Sequence, residues 1–210
     1  LTQDRTDAVW VATEAGLDRL DPATGRFSHY RYDNSVSGSL PDPVPLSLCA
    51  TTGGDLWVGM RNGWLALWNE DTRRFAAYRC VPAGPPAPGR SDVLCVMEAD
   101  DGRLWIGTAG GGLYRFEGGQ LQLFNAGNVG LPSDNVTALA LTGDGILLVG
   151  TDKGLVILAD GAVTPFPSSD MEIVVFVAVI LLWNTFQAGR AQRSELNFNQ
   201  FQEKVDKGLV

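Results

Sequence analysis

Histidine occurs once, at His29, and cysteine three times, at Cys49, Cys80 and Cys95, with no CxxC pair. This excludes the two-histidine zinc motif of a metalloprotease and gives neither a zinc ribbon nor a complete disulfide framework. Cys49 and Cys95 lie in the apolar runs "PLSLCA" and "DVLCVM" and read as small buried hydrophobes. Basic clusters are missing too. Residues 1–170 hold 20 Asp and Glu against 12 Lys and Arg, so the acidity belongs to this part, and nucleic acid is not expected as a partner. The glycines of "GTAGGGL" are not followed by Lys-Ser/Thr, which excludes a phosphate loop. No metal site, cofactor or catalytic residue is expected.

Carboxylate pairs do occur, at Asp100–Asp101 and at Glu70–Asp71, but both stand in turn sequences. Asp100 is expected to hydrogen-bond its own hairpin backbone. His29, in "RFSHYRY", reads as a solvated or cross-strand residue with no nucleophile arranged around it. Leu1 is not an initiator methionine, no signal peptide precedes the first repeat and the chain stops after "KVDKGLV". A piece of something longer is therefore expected.

What the sequence has is glycine, 25 residues of it, and a repeat. "VWVATEAGLDRL", "LWVGMRNGWLAL", "LWIGTAGGGLYRF" and "LLVGTDKGLVIL" share one pattern. Marked at Trp10, Trp57, Trp105 and Leu148, they recur at intervals of 47, 48 and 43 residues, the period of a propeller blade. Ahead of the marker stands "TGGDLW", "DDGRLW" or "GDGILL", where a Gly-Gly or Asp-Gly pair such as Asp101–Gly102 suits a two-residue hairpin. The marker strand is apolar throughout and ends in Ala12, Gly59, Gly107 or Gly150, as expected of an inner strand covered on both faces.

A second turn is expected at Gly16, Gly63, Gly111 or Gly154, and a third hairpin leads to Tyr30, Tyr78, Phe124 or Phe166. With the strand before the marker, as in "NVTALAL", each repeat has four strands, the first copy lacking its opening one. Four-stranded sheets of this size must stack face to face to cover both surfaces. The expected fold is all-β: a partial propeller of about four four-stranded blades over residues 1–167, part of a larger one.

"LPSDNVTALALTGDGILLVGTDKGLVIL" and "DDGRLWIGTAGGGLYRF" resemble the two-component regulator propeller repeat of periplasmic sensor regions in hybrid histidine kinases. Trp10, Trp57, Gly59, Asp101, Gly102, Trp105, Gly107, Thr108, Gly150 and Thr151 carry the pattern. The second copy departs from it at Met60, the fourth at Leu148. The resemblance implies a ligand-sensing ectodomain of a membrane-anchored signalling protein. Its ligand, a glycan or another small extracellular molecule, is expected at the central mouth. Trp64 and Trp68, unique to the second copy, are the candidate ligand-facing residues, with packing between sheets as their alternative. Self-association is a further expected partnership.

Residues 168–189 contain a run from Ile173 to Trp183 that is strictly apolar, read as a transmembrane helix, with a buried strand or core helix as the alternative. Residues 190–210 carry Phe198, Phe201 and Val205 at helical spacing before Gly208, a short amphipathic helix. Span and tail resemble the amino-terminal anchor of FtsH-type AAA+ zinc metalloproteases. That resemblance implies a second reading: the retained anchor of an ATP-dependent protease, fused or misjoined to a propeller. A non-catalytic interaction propeller is the third. Arg190 and Arg193 after the span place the tail in the cytoplasm by the positive-inside rule, and the propeller in the periplasm of a bacterial inner-membrane protein.

Overall fold

The computed structural model of the chain describes residues 1–80, 91–143, 145–159 and 161–166. The expected transmembrane helix and amphipathic tail, with Phe198, Phe201, Val205 and Gly208, lie outside the described residues. Among the described residues there is no α-helix, and no helix is long and apolar enough to cross a membrane.

Four antiparallel four-stranded sheets follow one another along Leu1–Phe166. The first comprises β1 (Thr2–Gln3), β2 (Val9–Thr13), β3 (Gly16–Asp21) and β4 (Arg26–Tyr30). The second has β5 (Pro45–Ala50), β6 (Leu56–Met60), β7 (Trp64–Asn69) and β8 (Arg74–Arg79). The third has β9 (Val93–Glu98), β10 (Leu104–Thr108), β11 (Gly112–Glu117) and β12 (Gln120–Phe124). The last has β13 (Val136–Leu141), β14 (Leu147–Thr151), β15 (Gly154–Ala159) and β16 (Ala162–Pro165). The first copy does not lack its opening strand: β1 is two residues long and pairs with the start of β2 through Thr2 and Trp10.

Strands are consecutive within every sheet, and β5 packs against β9 and β9 against β13, so the opening strands line one side of the array. The core lies in the seams between sheets. Trp10, Leu17, Val58 and Trp68 fill the first seam, Trp57, Leu65, Ile106 and Tyr114 the second, and Trp105, Leu113, Val149 and Leu158 the third. No sheet covers both of its own faces, so stacking supplies the apolar burial on which the fold depends.

The glycine that ends the marker strand is required by this stacking. A Cβ on Gly107 would lie 2.5 Å from Cys95 Sγ and 2.7 Å from Val136 Cγ1, the latter on the next sheet. Gly59 is likewise crowded by Ser47 of its own sheet and Val93 of the third. The threonine that follows acts within its own sheet. Thr13, Thr108 and Thr151 each donate from Oγ1 to the carbonyl of the glycine that closes the second turn, at 2.9, 2.7 and 2.8 Å. Met60 has no hydroxyl to give. The second sheet turns instead through a 3₁₀ segment, Arg61–Gly63, with Asn62 in the left-handed region.

Two local expectations are corrected. The turn before the marker strand has three residues rather than two. Its amide and carbonyl bonds close over Arg5–Asp7, Thr52–Gly54 and Asp100–Gly102, and the third position takes positive φ (62°, 91° and 79°), as Gly145 does in the last sheet (80°). The third residue of the loop is left-handed, and the first copy manages this with Asp7 in place of glycine. In the third sheet the glycine at the second turn is Gly112, at φ 91° and paired with Thr108, and not Gly111.

Candidate functional site

The two candidate tryptophans fall in different surroundings. Trp68 is closed into the first seam, 6% exposed, with its ring 5.6 Å from Trp10 and 4.7 Å from Tyr30. Its indole N–H donates to Glu70 Oε2 at 2.6 Å. It therefore faces the neighbouring sheet, not a ligand. Trp64 opens β7, is half-buried against the same core and carries the Arg79 guanidinium 4.3 Å above its ring. Beside it in the chain, Asn62 is tied by its amide N–H to Asp92 Oδ1 and by its side chain to Asp42 Oδ2, at 2.8 and 3.0 Å. Such bonds fix a turn.

Glu70 does more than end a turn. Besides the Trp68 indole it accepts from Arg19 Nη1 at 3.1 Å, joining the second sheet to the first. Arg19 lies over Trp10, 5.3 Å from the ring centre, and its Nη2 donates to Thr6 and lies 3.4 Å from Asp4. Asp4 in turn accepts from the Trp10 indole at 2.7 Å. Burial alone would raise the Asp4 carboxyl, but hydrogen bonds from Thr6 and Trp10, with Arg19 nearby, hold it below its ordinary value. This clamp has no counterpart among the sequence motifs, because Arg19 and Glu70, which join the two sheets, are 51 residues apart.

The remaining candidates for chemistry resolve into structure. Asp101, and not Asp100, bonds its hairpin, accepting from the Arg103 amide at 3.0 Å, and it also pairs with the Arg103 side chain. His29 is the cross-strand partner of Asp18, its Nδ1 2.8 Å from Asp18 Oδ1, and Arg31 reaches the same oxygen at 2.6 Å. The group is on the surface, with His29 59% exposed and no nucleophile bonded to it. Among the described residues there is no cluster of metal-ligating side chains. Cys49, Cys80 and Cys95 are free, and burial pushes the Cys80 thiol up to about 12 and that of Cys95 to about 11, so neither is poised as a nucleophile.

Below the seams, at the end that carries the turns before the marker strands, are grooves. They widen along the chain. The position paired with the first residue of the marker strand is Trp68 in the second sheet, Phe116 in the third and Leu158 in the fourth. Where Phe116 faces Trp57 a groove of about 280 Å³ remains, and where Leu158 faces Trp105 one of about 540 Å³.

Residues 88–110 and 130–153 match the two component regulator propeller family. Among solved structures the chain is similar to the extracellular domain of BT3049 from B. thetaiotaomicron, described as a hybrid two component system. The identity is 26% and the TM-score 0.67, over 80% of this chain and 24% of that one. The extracellular domain of BT4673 from the same organism, similarly described, is 16% identical with a TM-score of 0.58, over the same shares, which shows the fold alone. The chain thus spans about a quarter of the length of these two structures. No curated protein matches it. The matches support the propeller resemblance, and the FtsH-type resemblance of residues 171–210 has no support among them.

Proposed function

We propose that the chain is part of the sensing ectodomain of a membrane-anchored signalling protein of the two-component type, with the propeller outside the cytoplasmic membrane and a soluble extracellular ligand, a glycan, as its signal. The observation that supports this best is the family match of two successive repeats, at residues 88–110 and 130–153. The extracellular origin of the relative that shares 26% identity points the same way. The structure is compatible with it: Glu70 and Asp101 are engaged in a seam and a turn, and a groove lies between the third and fourth sheets. Such an arrangement can bind and transmit. It has no catalytic constellation among the described residues.

Protease accessibility tests the reading. In spheroplasts of cells making the membrane-anchored protein, external protease is expected to digest the propeller while a cytoplasmic marker stays intact. Protection of the propeller until the membrane is dissolved would refute the extracellular placement. A thermal-shift screen of the full chain against oligosaccharides is expected to give a saturable rise with one sugar class.

A further inference from the structure

Arg19 and Arg115 occupy the same place in their repeats, each paired across the hairpin with the marker tryptophan, Trp10 or Trp105. Both guanidinium groups lie over that ring, at 5.3 and 5.9 Å, and both have a buried Nε without a hydrogen-bond partner. Their outer nitrogens differ. Arg19 is answered by Glu70 across the seam, by Thr6 and by Asp4. Among the described residues the Arg115 side chain donates one hydrogen bond, to the neutral Gln122 amide oxygen at 2.6 Å, and Glu117 on its own strand comes no nearer than 3.8 Å.

The space beside it also differs. In the first seam Trp68 fills the position that Leu158 holds in the third. There the groove of about 540 Å³ is lined by Arg115, Trp105, Phe124, Leu147 and Leu158, with Asp101 and Gln122 among its polar groups. A cation short of acceptors thus stands over an apolar wall, in a volume suited to a small molecule. A forked guanidinium receives a carboxylate by two parallel bonds, which a neutral hydroxyl cannot match. The wall suits the carbon face of a ring. Gln122 suits a ring hydroxyl, while the Asp101 charge is met by Arg103, which also lines the groove.

We propose that the groove between the third and fourth sheets is a binding site for a sugar carrying a single carboxylate, a uronic acid, held by Arg115 and laid against Phe124 and Leu158. It rests on the sensing reading for the ligand class alone; protease accessibility would fail or succeed independently of it.

The test is isothermal titration of the full chain with sodium glucuronate and with glucose, alongside the Trp105 indole resonance. Saturable glucuronate binding that moves this resonance is expected, with glucose at least tenfold weaker. Arg115→Met is expected to lose roughly tenfold or more in affinity, and Arg115→Lys, which keeps the charge without the fork, to fall between. Leu158→Trp imitates the first seam, and is expected to fold with an unchanged far-ultraviolet spectrum and to bind no glucuronate. Absence of glucuronate binding, or parental affinity in Arg115→Met or Leu158→Trp, would overturn the proposal.

Discussion

Gly107→Ala adds a single methyl group to the centre of the third seam. The new Cβ would stand 2.5 Å from Cys95 Sγ, 2.7 Å from Val136 Cγ1 and 3.2 Å from the Val136 carbonyl oxygen, against carbon contacts of about 3.5–4 Å at rest. Gly107 is absent from the positive-φ glycines, so the backbone itself tolerates alanine and even gains about 0.5–1 kcal/mol from reduced freedom of the unfolded chain. Overpacking costs about 1–3 kcal/mol, because β10 and β13 cannot part without opening the seam. The net loss is expected at about 1–2 kcal/mol, a fall in Tm of roughly 2–8 °C for a domain of this size. Val136→Ala removes the obstructing methyls. The double variant should therefore be more stable than the sum of the single effects by about 1 kcal/mol. Thermal unfolding followed by circular dichroism measures all three. An unchanged Tm in Gly107→Ala, or strict additivity in the double variant, would refute the claim that this glycine serves sheet stacking.

Three further outcomes are expected. Asp4 has its carboxyl lowered in the folded chain, so its contribution to stability is complete above the ordinary aspartate range and fades as pH falls through the folded value. Acid unfolding of Asp4→Asn should accordingly start from lower stability and show a shallower loss below about pH 4; parallel curves would contradict the clamp. Thr108→Val leaves the Gly112 carbonyl without its buried 2.7 Å bond and is expected to cost about 1–2 kcal/mol in urea unfolding, whereas an unchanged midpoint would show that the hydroxyl does not hold the turn. Cys80 should resist an aromatic disulfide reagent at pH 8 in the native state and react on unfolding, since burial holds its thiol at about 12. Prompt native reaction at Cys80 would contradict the closed second seam.

The repeat made the sheets legible: a marker tryptophan, a crowded glycine and turns at a near-constant period state where strands lie and which are covered on both faces. The seams were harder. Trp68 drew notice because no other copy has a tryptophan there, and uniqueness suggested a ligand. Strand pairing shows the same place to be held by Leu20, Phe116 and Leu158, so Trp68 is a large variant of a seam residue. The Arg19–Glu70 clamp has no local signature, since sequence periodicity reports which face a side chain takes and not what meets it from the next sheet. Gly111 and Gly112 cannot be told apart in "GTAGGGL", where Gly110 and Gly112 take positive φ and Gly111 does not. The two-residue hairpins were misjudged for a similar reason: the third-position glycine, or Asp7, marks a longer loop that the Asp-Gly pair alone does not reveal.

Each marker tryptophan meets the third strand of the following sheet, joining the repeats into a stacked array. Proton cross-relaxation between assigned side chains of the labelled chain is the measurement to make. Cross-peaks are expected between Trp10 and Trp68, whose ring centres are 5.6 Å apart, and between Trp57 and Phe116, at 4.9 Å. Cross-peaks confined within each repeat, with none joining these pairs, would contradict this stacking.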